Sequence, residues 1–373
     1  METAILQTMP YQRGVLMMPQ CGEIIQKETA VNLTNASVAV IGGAGLIGSH
    51  TVDLLRKEDV KKIIVYDDLA SGKMEFLTQA LNDERVKFVN GDVGRRDHLD
   101  AIIEGADAVI HLAASLLLKC RAEPFAGFDL NVKGTLNVMQ SCIDHRVGRL
   151  VYASSTSVYG DAVEEPMTEE HPFNNKNMYG ATKIASEALL HAYHHEYGLQ
   201  YVAMRYTNVY GPRQGYAGVY MAVVTRMFDA AERGESPVIF GDGNEAYDLI
   251  FVEDAARANI CALKAESTDR GYNIGTGVKT SLSEVAEMIR ELTGCKAPVV
   301  YKPRQHSATL VRNRVASTKR ASDEIVFRST VALRDGLERL RQWRAANPWA
   351  IKRTATSRLA NRVDQMSCDE RAS

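Results

Sequence analysis

From residue 36 onward, short apolar runs alternate with longer amphipathic segments. Residues 38–41, 62–66, 86–89, 108–112, 149–153 and 201–205 are each four or five residues long and mostly apolar. Such runs, without regular polar alternation, are expected of strands covered on both faces, as in a parallel sheet. The amphipathic segments between them have helical period, most clearly over 46–55 and 177–197. This β–α rhythm predicts an α/β fold built on a doubly wound parallel sheet, with ligands at the carboxyl ends of the strands. Small and polar residues gather at those ends: Gly42 to Gly48, Asp67-Asp68, Gly91-Asp92-Val93, Leu112-Ala113-Ala114, Ser154 to Ser157 and Tyr206-Thr207-Asn208.

After Asn208 the alternation breaks. A loop over 210–215 contains Arg213, a helix is predicted over 219–234 and a strand over 238–240. Residues 249–254 are predicted to return to the main sheet, followed by a helix to about 264. Ser281 and Glu284 have capping-box spacing before a helix over 281–292, and a last amphipathic helix is expected over 333–346. The predicted organisation is an extension over 1–34, a sheet domain over 35–206 with 237–266 returning to it, a smaller α+β lobe from 207–236 and 267–348, and a flexible polar tail over 349–373.

Composition excludes several classes. The 373 residues carry 45% hydrophobic and 24% charged positions, ordinary for a globular protein. The formal net charge of -2 offers no polycationic face, so nucleic acid is not an expected partner. No apolar run reaches the ~20 residues of a membrane span. The six cysteines are scattered, against a disulfide framework or zinc site and in keeping with a reducing, cytoplasmic setting. The nine histidines form no evident ligand pattern, and adjacent His194 and His195 read as surface residues, so no metal is expected.

The strand-end clusters carry the chemistry. Gly42-Gly-Ala-Gly45-Leu46-Ile47-Gly48 lies between a strand and a helix. The first glycine permits a tight turn, the second lets a pyrophosphate approach the backbone, and the third lets helix and strand pack. Free N–H groups at the helix start then bind phosphate. Asp67, about 20 residues on, is placed to accept both hydroxyls of an adenosine ribose and to repel a 2′-phosphate, which favours NAD over NADP. Asp92 suits an adenine amino group, and a strand-end cap is an equally good reading of it.

Tyr179 and Lys183 are four apart on the predicted 177–197 helix and share a face. A nearby ammonium favours phenolate over phenol, so the pair reads as a base, aided by a further positive charge such as an oxidised nicotinamide. Ser155 and Thr156, at a strand end before the tyrosine, are placed to bind a substrate hydroxyl. Arg312-Asn-Arg314 offers guanidinium groups for a diphosphate, or is a solvated basic loop.

Seven stretches together resemble one family, the extended short-chain dehydrogenases/reductases in their NAD-dependent sugar-nucleotide epimerase/dehydratase branch. They are Gly42 to Gly48, His111-Leu-Ala-Ala114, Asn131-Val-Lys-Gly134, Tyr152 to Gly160, Tyr179-Gly-Ala-Thr-Lys183, Arg205 to Gln214 and Asp242 to Asp248. The resemblance implies Tyr179 as base, Lys183 holding the nicotinamide ribose and Ser155 binding the reacting hydroxyl. It places Asn131 and Tyr206 by the cofactor, with Val93, Leu112, Ala113 and Ala114. It places Asn208, Arg213, Tyr247, Arg312 and Arg314 by the substrate, Tyr247 standing where many members carry a phosphate-binding arginine. It also implies a homodimer, formed through the Tyr179 helix and the helix near 131–142. Dehydratases of the branch resemble one another in an Asp-Glu pair after the serine, where this chain has Thr156 and Ser157. The expected activity is therefore C4 epimerisation of a nucleotide-diphosphate sugar, a UDP-sugar foremost. Net sugar-nucleotide oxidation or reduction, or dehydration, is the alternative, and a non-enzymatic nucleotide-sugar binding protein stands behind both.

Overall fold

A computed structural model describes residues 30–214, 219–303, 311 and 313–351. The extension up to residue 29, the tail from 352 and Arg312 lie outside the described residues.

Seven parallel strands form the main sheet. In chain order they are β1 (Ser37–Ile41), β2 (Lys62–Asp67), β3 (Val86–Asn90), β4 (Ala108–His111), β5 (Arg149–Ser155), β6 (Tyr201–Tyr206) and the strand Arg270–Ile274. Their spatial order is Arg270–Ile274, β6, β5, β4, β1, β2, β3. The order reverses between β1 and β4, the switch point at which a doubly wound sheet opens a crevice.

Burial follows the strand period of two. Val38, Val40, Val65, Ile110, Val151, Val202 and Met204 enter one core with the helix Val252–Lys264. Ala39, Ile41, Ile64, Tyr66, Val109, Leu150 and Tyr152 enter the opposite core with residues of the helices Arg96–Ile103, Gly134–Asp144 and Met178–Tyr197. Both faces are covered, which is why the strands read as continuous apolar runs. A third core joins the helices Val219–Glu232, Leu282–Thr293 and Leu333–Ala346. The predicted capping box is formed: Ser281 and Glu284 satisfy each other's backbone N–H groups.

The C-terminal strands depart from the sequence expectation. Leu249–Phe251 does not return to the main sheet; it pairs in parallel with Asn208–Tyr210. Val238–Phe240 pairs with Val300–Lys302, in a separate two-stranded sheet. Arg270–Ile274, assigned to the smaller lobe, instead pairs with β6 as the seventh strand of the main sheet. The regular β–α alternation that identifies strands as short as β4 is broken after Asn208, so it does not assign these segments; the burial of Tyr272 and Ile274 among core residues including Ala321 and Phe327 places the seventh strand.

The glycine turn sits at the end of β1. Gly48 lies against it so closely that a Cβ would stand 2.2 Å from the Gly42 carbonyl oxygen. Gly48→Ala should therefore push the helix Leu46–Leu55 off the turn and cost about 2 kcal/mol or more, read as a lowered unfolding midpoint in urea. An unchanged midpoint would show that the close approach is not required.

Candidate active site

Two groups of candidate residues lie at carboxyl ends of the sheet strands. The first lines a cleft of about 190 Å³ formed by Gly42, Gly45, Asp67, Asp92, Val93, Leu112, Ala113 and Ala114, together with the unforeseen Ser115 and Lys119. Eight of the positions expected to bind cofactor thus converge on one cavity at the β1/β4 switch point.

Its walls suit a dinucleotide. The helix Leu46–Leu55 begins with no side-chain cap, so the N–H groups at Leu46 and Ile47 are available to an anion. A Cβ on Gly45 would meet only the Gly42 oxygen, at 3.3 Å, so this glycine leaves the mouth of the turn open. The Ser115 hydroxyl is buried without a protein hydrogen-bond partner. Asp67 receives the N–H groups of Ala44 at 2.9 Å and Leu69 at 2.8 Å, which fixes its carboxylate beside the turn. Burial raises its pKa, with those two N–H groups opposing. The Asp92 carboxylate both lines the cleft and accepts the Gly94 N–H at 2.8 Å, so cap and cleft wall are one residue.

The second group is built where the helix Met178–Tyr197 meets β5. Asn177 caps the helix by accepting the Gly180 N–H at 2.8 Å. Gly180 faces the turn after β5, where a Cβ would stand 2.5 Å from the Ser157 carbonyl oxygen. That close approach sets Tyr179 beside Ser155. Lys183 is buried, donates to the Ala153 carbonyl at 2.6 Å, and stands 4.8 Å from the Tyr152 ring centre and 5.8 Å from that of Tyr179. Burial lowers the Lys183 pKa to about 8, against the raising influence of Cys120 and Glu187.

Tyr179 is raised, not lowered. Burial pushes its pKa up to about 12, a hydrogen bond with Ser155 pulls it back, Cys120 raises it and Arg314 lowers it. The expectation that the lysine would make the phenol acidic is corrected: Lys183 turns to a backbone carbonyl, and desolvation dominates. Arg314 does reach this region, donating to the Ser157 hydroxyl at 3.3 Å. The Thr156 hydroxyl donates to the Tyr206 carbonyl at 3.2 Å.

A buried ion pair supports the same strand end. Glu187 receives Arg205 Nη2 at 2.6 Å and the Ser154 hydroxyl, and Arg205 also donates to the Tyr159 hydroxyl at 2.8 Å. Cys120, next to both Tyr179 and Lys183 electrostatically, donates its thiol to the Ser115 carbonyl at 3.2 Å. Scattered spacing in the sequence gave no sign of this placement.

Other expected site residues go elsewhere. The Tyr206 side chain points into the core and bonds Asn259, so it does not face the cofactor cleft. Arg213 pairs with Asp53 of the first helix at 2.6 Å, fastening its loop there. Asn131 accepts the Ser115 N–H at 2.7 Å and donates to the Ser115 carbonyl and to Thr182, both at 3.0 Å. It therefore clips the cleft wall to the Tyr179 helix from behind. Asn208 donates to the Asp248 carbonyl at 3.2 Å. Tyr247 is buried, pairs in register with Arg314 and donates to the Val311 carbonyl at 3.2 Å. Finally, the histidines do hold a possible ligand set: His191 and His195 share a helix face with Asp269 opposite.

The fold and site define an NAD-binding α/β protein. A family model, the NAD dependent epimerase/dehydratase family, matches residues 38–275. The chain belongs to this family. A putative UDP-glucose 4-epimerase of Methanocaldococcus jannaschii is 33% identical over 317 residues, covering 83% of this chain and 99% of that protein. The UDP-N-acetylglucosamine 4-epimerase of Methanobrevibacter ruminantium, solved with UDP-N-acetylmuramic acid, superposes with a TM-score of 0.79 at 31% identity, covering 84% of this chain and 99% of that one. The dTDP-glucose 4,6-dehydratase DesIV of Streptomyces venezuelae, solved with NAD, gives 0.76 at 28% identity, covering 84% and 98%.

His50 supplies a test of this packing. Its Nε2 lies 3.2 Å from the Pro212 carbonyl, and burial, then Arg213, lowers its pKa to about 4. Between there and the ordinary value near ~6.5, the unfolded chain binds a proton that the folded chain refuses. Stability from this group is complete above that value and is lost as pH falls toward the folded one. Urea unfolding should show about 2 kcal/mol less stability from this source at acid pH, and His50→Gln should lose correspondingly less. Identical pH profiles for the two proteins would contradict it.

Proposed function

We propose that the protein is an NAD-dependent epimerase of a nucleotide-diphosphate sugar, acting at C4 through a transient 4-keto sugar, with a UDP-sugar as substrate. The observation that carries this is the gathering of Tyr179, Ser155 and Lys183 at the end of β5 without a carboxyl pair after the serine. Ser155 hydrogen-bonds the phenol, and the next two hydroxyls, Thr156 and Ser157, are engaged by the Tyr206 carbonyl and Arg314. Hydroxyls do not move protons at neutral pH as an acid–base pair of carboxyls does, which disfavours loss of water.

Ser155 orients the C4 hydroxyl against Tyr179, whose phenol oxygen takes its proton and later gives it back. Lys183 holds a nicotinamide ribose and keeps positive charge beside the ring of Tyr179. Arg314 brings a guanidinium toward an anionic substrate and opposes the rise of the Tyr179 pKa. NAD, which the Gly42–Gly48 turn, Asp67 and Lys183 would hold, would supply a hydride acceptor and donor for C4 and, when oxidised, a positive ring near the Tyr179 phenol.

The reading extends to a homodimer. Phe125, Phe128 and Leu116 are exposed apolar residues on or beside the short helices that precede Gly134–Asp144, which suits cover by a second copy. It also extends to a cytoplasmic setting: Cys120, Cys142, Cys261 and Cys295 are all free, and among the described residues no helix is long and apolar enough to cross a membrane.

Incubation with UDP-, GDP-, CDP- and dTDP-sugars, followed by product separation, tests the activity. The expected result is a C4 epimer formed steadily without net NADH; a dehydrated product or stoichiometric NADH would replace the reading with dehydratase or net redox chemistry. Tyr179→Phe should lower turnover at least ~100-fold while leaving the fold intact by circular dichroism. Unchanged turnover would remove Tyr179 as the base.

A further inference from the structure

Among the described residues, His191, His195 and Asp269 are grouped so that one ligand atom of each lies within 4.8 Å of the others. The cluster is far from the candidate active site, roughly 18 Å along the helix axis from Tyr179 at the usual rise per residue. His191 and His195 sit one turn apart on the helix Met178–Tyr197, with ring centres 4.5 Å apart. Asp269, immediately before the strand Arg270–Ile274, faces both. Its Oδ1 is 2.8 Å from His191 Nδ1 and its Oδ2 is 3.4 Å from His195 Nε2.

The carboxylate is aimed. Tyr201 donates its phenol to Asp269 Oδ1 at 2.7 Å, and the Asp269 N–H donates to the Tyr201 carbonyl at 3.0 Å. Hydrogen bonds from behind a ligating carboxylate fix its orientation in metal sites. Neighbouring His194 is not part of the set, because its Nδ1 lies 2.8 Å from the Leu199 carbonyl oxygen.

We propose that His191, His195 and Asp269 form a surface site for a divalent transition-metal cation, with zinc the best match. Two imidazole nitrogens and one carboxylate oxygen are zinc ligands, and two histidines four apart on a helix present both nitrogens to one ion. Tetrahedral zinc bonds of ~2.0–2.1 Å hold ligand atoms roughly 3.3 Å apart. Asp269 Oδ2 and His195 Nε2, 3.4 Å apart, already meet this. His191 Nδ1 lies 2.8 Å from the other oxygen, Oδ1, and the ligand atoms of the three residues lie within 4.8 Å of one another, so a small side-chain rotation carries this nitrogen from the Oδ1 hydrogen bond to an ion held on Oδ2, its proton passing to solvent. Water completes the coordination, since both imidazoles are exposed. The ion joins the last turn of the helix that carries Tyr179 to the start of the edge strand of the sheet.

The test is zinc binding to tag-free, full-length protein by equilibrium dialysis at pH 7.5, with metal quantified in each compartment. The wild type should bind at micromolar free zinc, and His191→Ala, His195→Ala and Asp269→Asn should each weaken that affinity at least ~10-fold. His194→Ala should bind as the wild type does. A zinc-dependent rise in melting temperature should follow the same pattern, because an ion bound to the folded chain stabilises it. No saturable binding below millimolar zinc, or equal affinity in the three variants and the wild type, would overturn the site. Turnover is expected to be unchanged in His191→Ala, so this test stands apart from that of the epimerase reading.

Discussion

A lysine ammonium buried between a helix and a strand end is the constraint on which the candidate site depends. Lys183 is only 2% exposed. An ammonium taken from water is costly unless its donors are satisfied. Here the Ala153 carbonyl and the faces of Tyr152 and Tyr179 take that role. The helix must therefore dock on β5 at one depth, and the glycine at 180 permits that depth. The Glu187–Arg205 pair, with Ser154 attached, holds the strand end from the other side. Once the lysine is seated, Tyr179 and Ser155 are brought together.

The same burial sets the resting chemistry. Removal of water pushes the Tyr179 phenol up and the Lys183 ammonium down, to about 12 and about 8. Each shift favours the neutral form of its group, so the phenol keeps its proton at neutral pH, while the lysine, still below its pKa of about 8, stays mostly charged. A phenol so placed is a poor base until further positive charge arrives.

Much of this was legible in the sequence because strand-end position is a one-dimensional signal. Gly42, Asp67, Asp92 and Ala113 each follow an apolar run, and parallel strands carry such positions to one edge. Side-chain direction is not one-dimensional. Tyr206 and Arg213 follow the same edge, yet one turns into the core toward Asn259 and the other reaches back to Asp53. Cys120 has no neighbouring motif and was placed only by the folding of the wall around Asn131. The seventh strand was hidden by the break in the alternation before it, and the His191–Asp269 group by the 78 residues between those two.

The most direct test is the ionisation of Tyr179 itself, read as phenolate absorbance in wild type minus Tyr179→Phe across a pH titration. Protein with oxidised NAD bound should ionise this phenol several pH units below the cofactor-free protein, and protein with NADH bound should resemble the latter. Phenolate near neutral pH in the cofactor-free protein, or equal titrations with NAD and NADH, would contradict the claim that burial holds the proton on and added positive charge releases it.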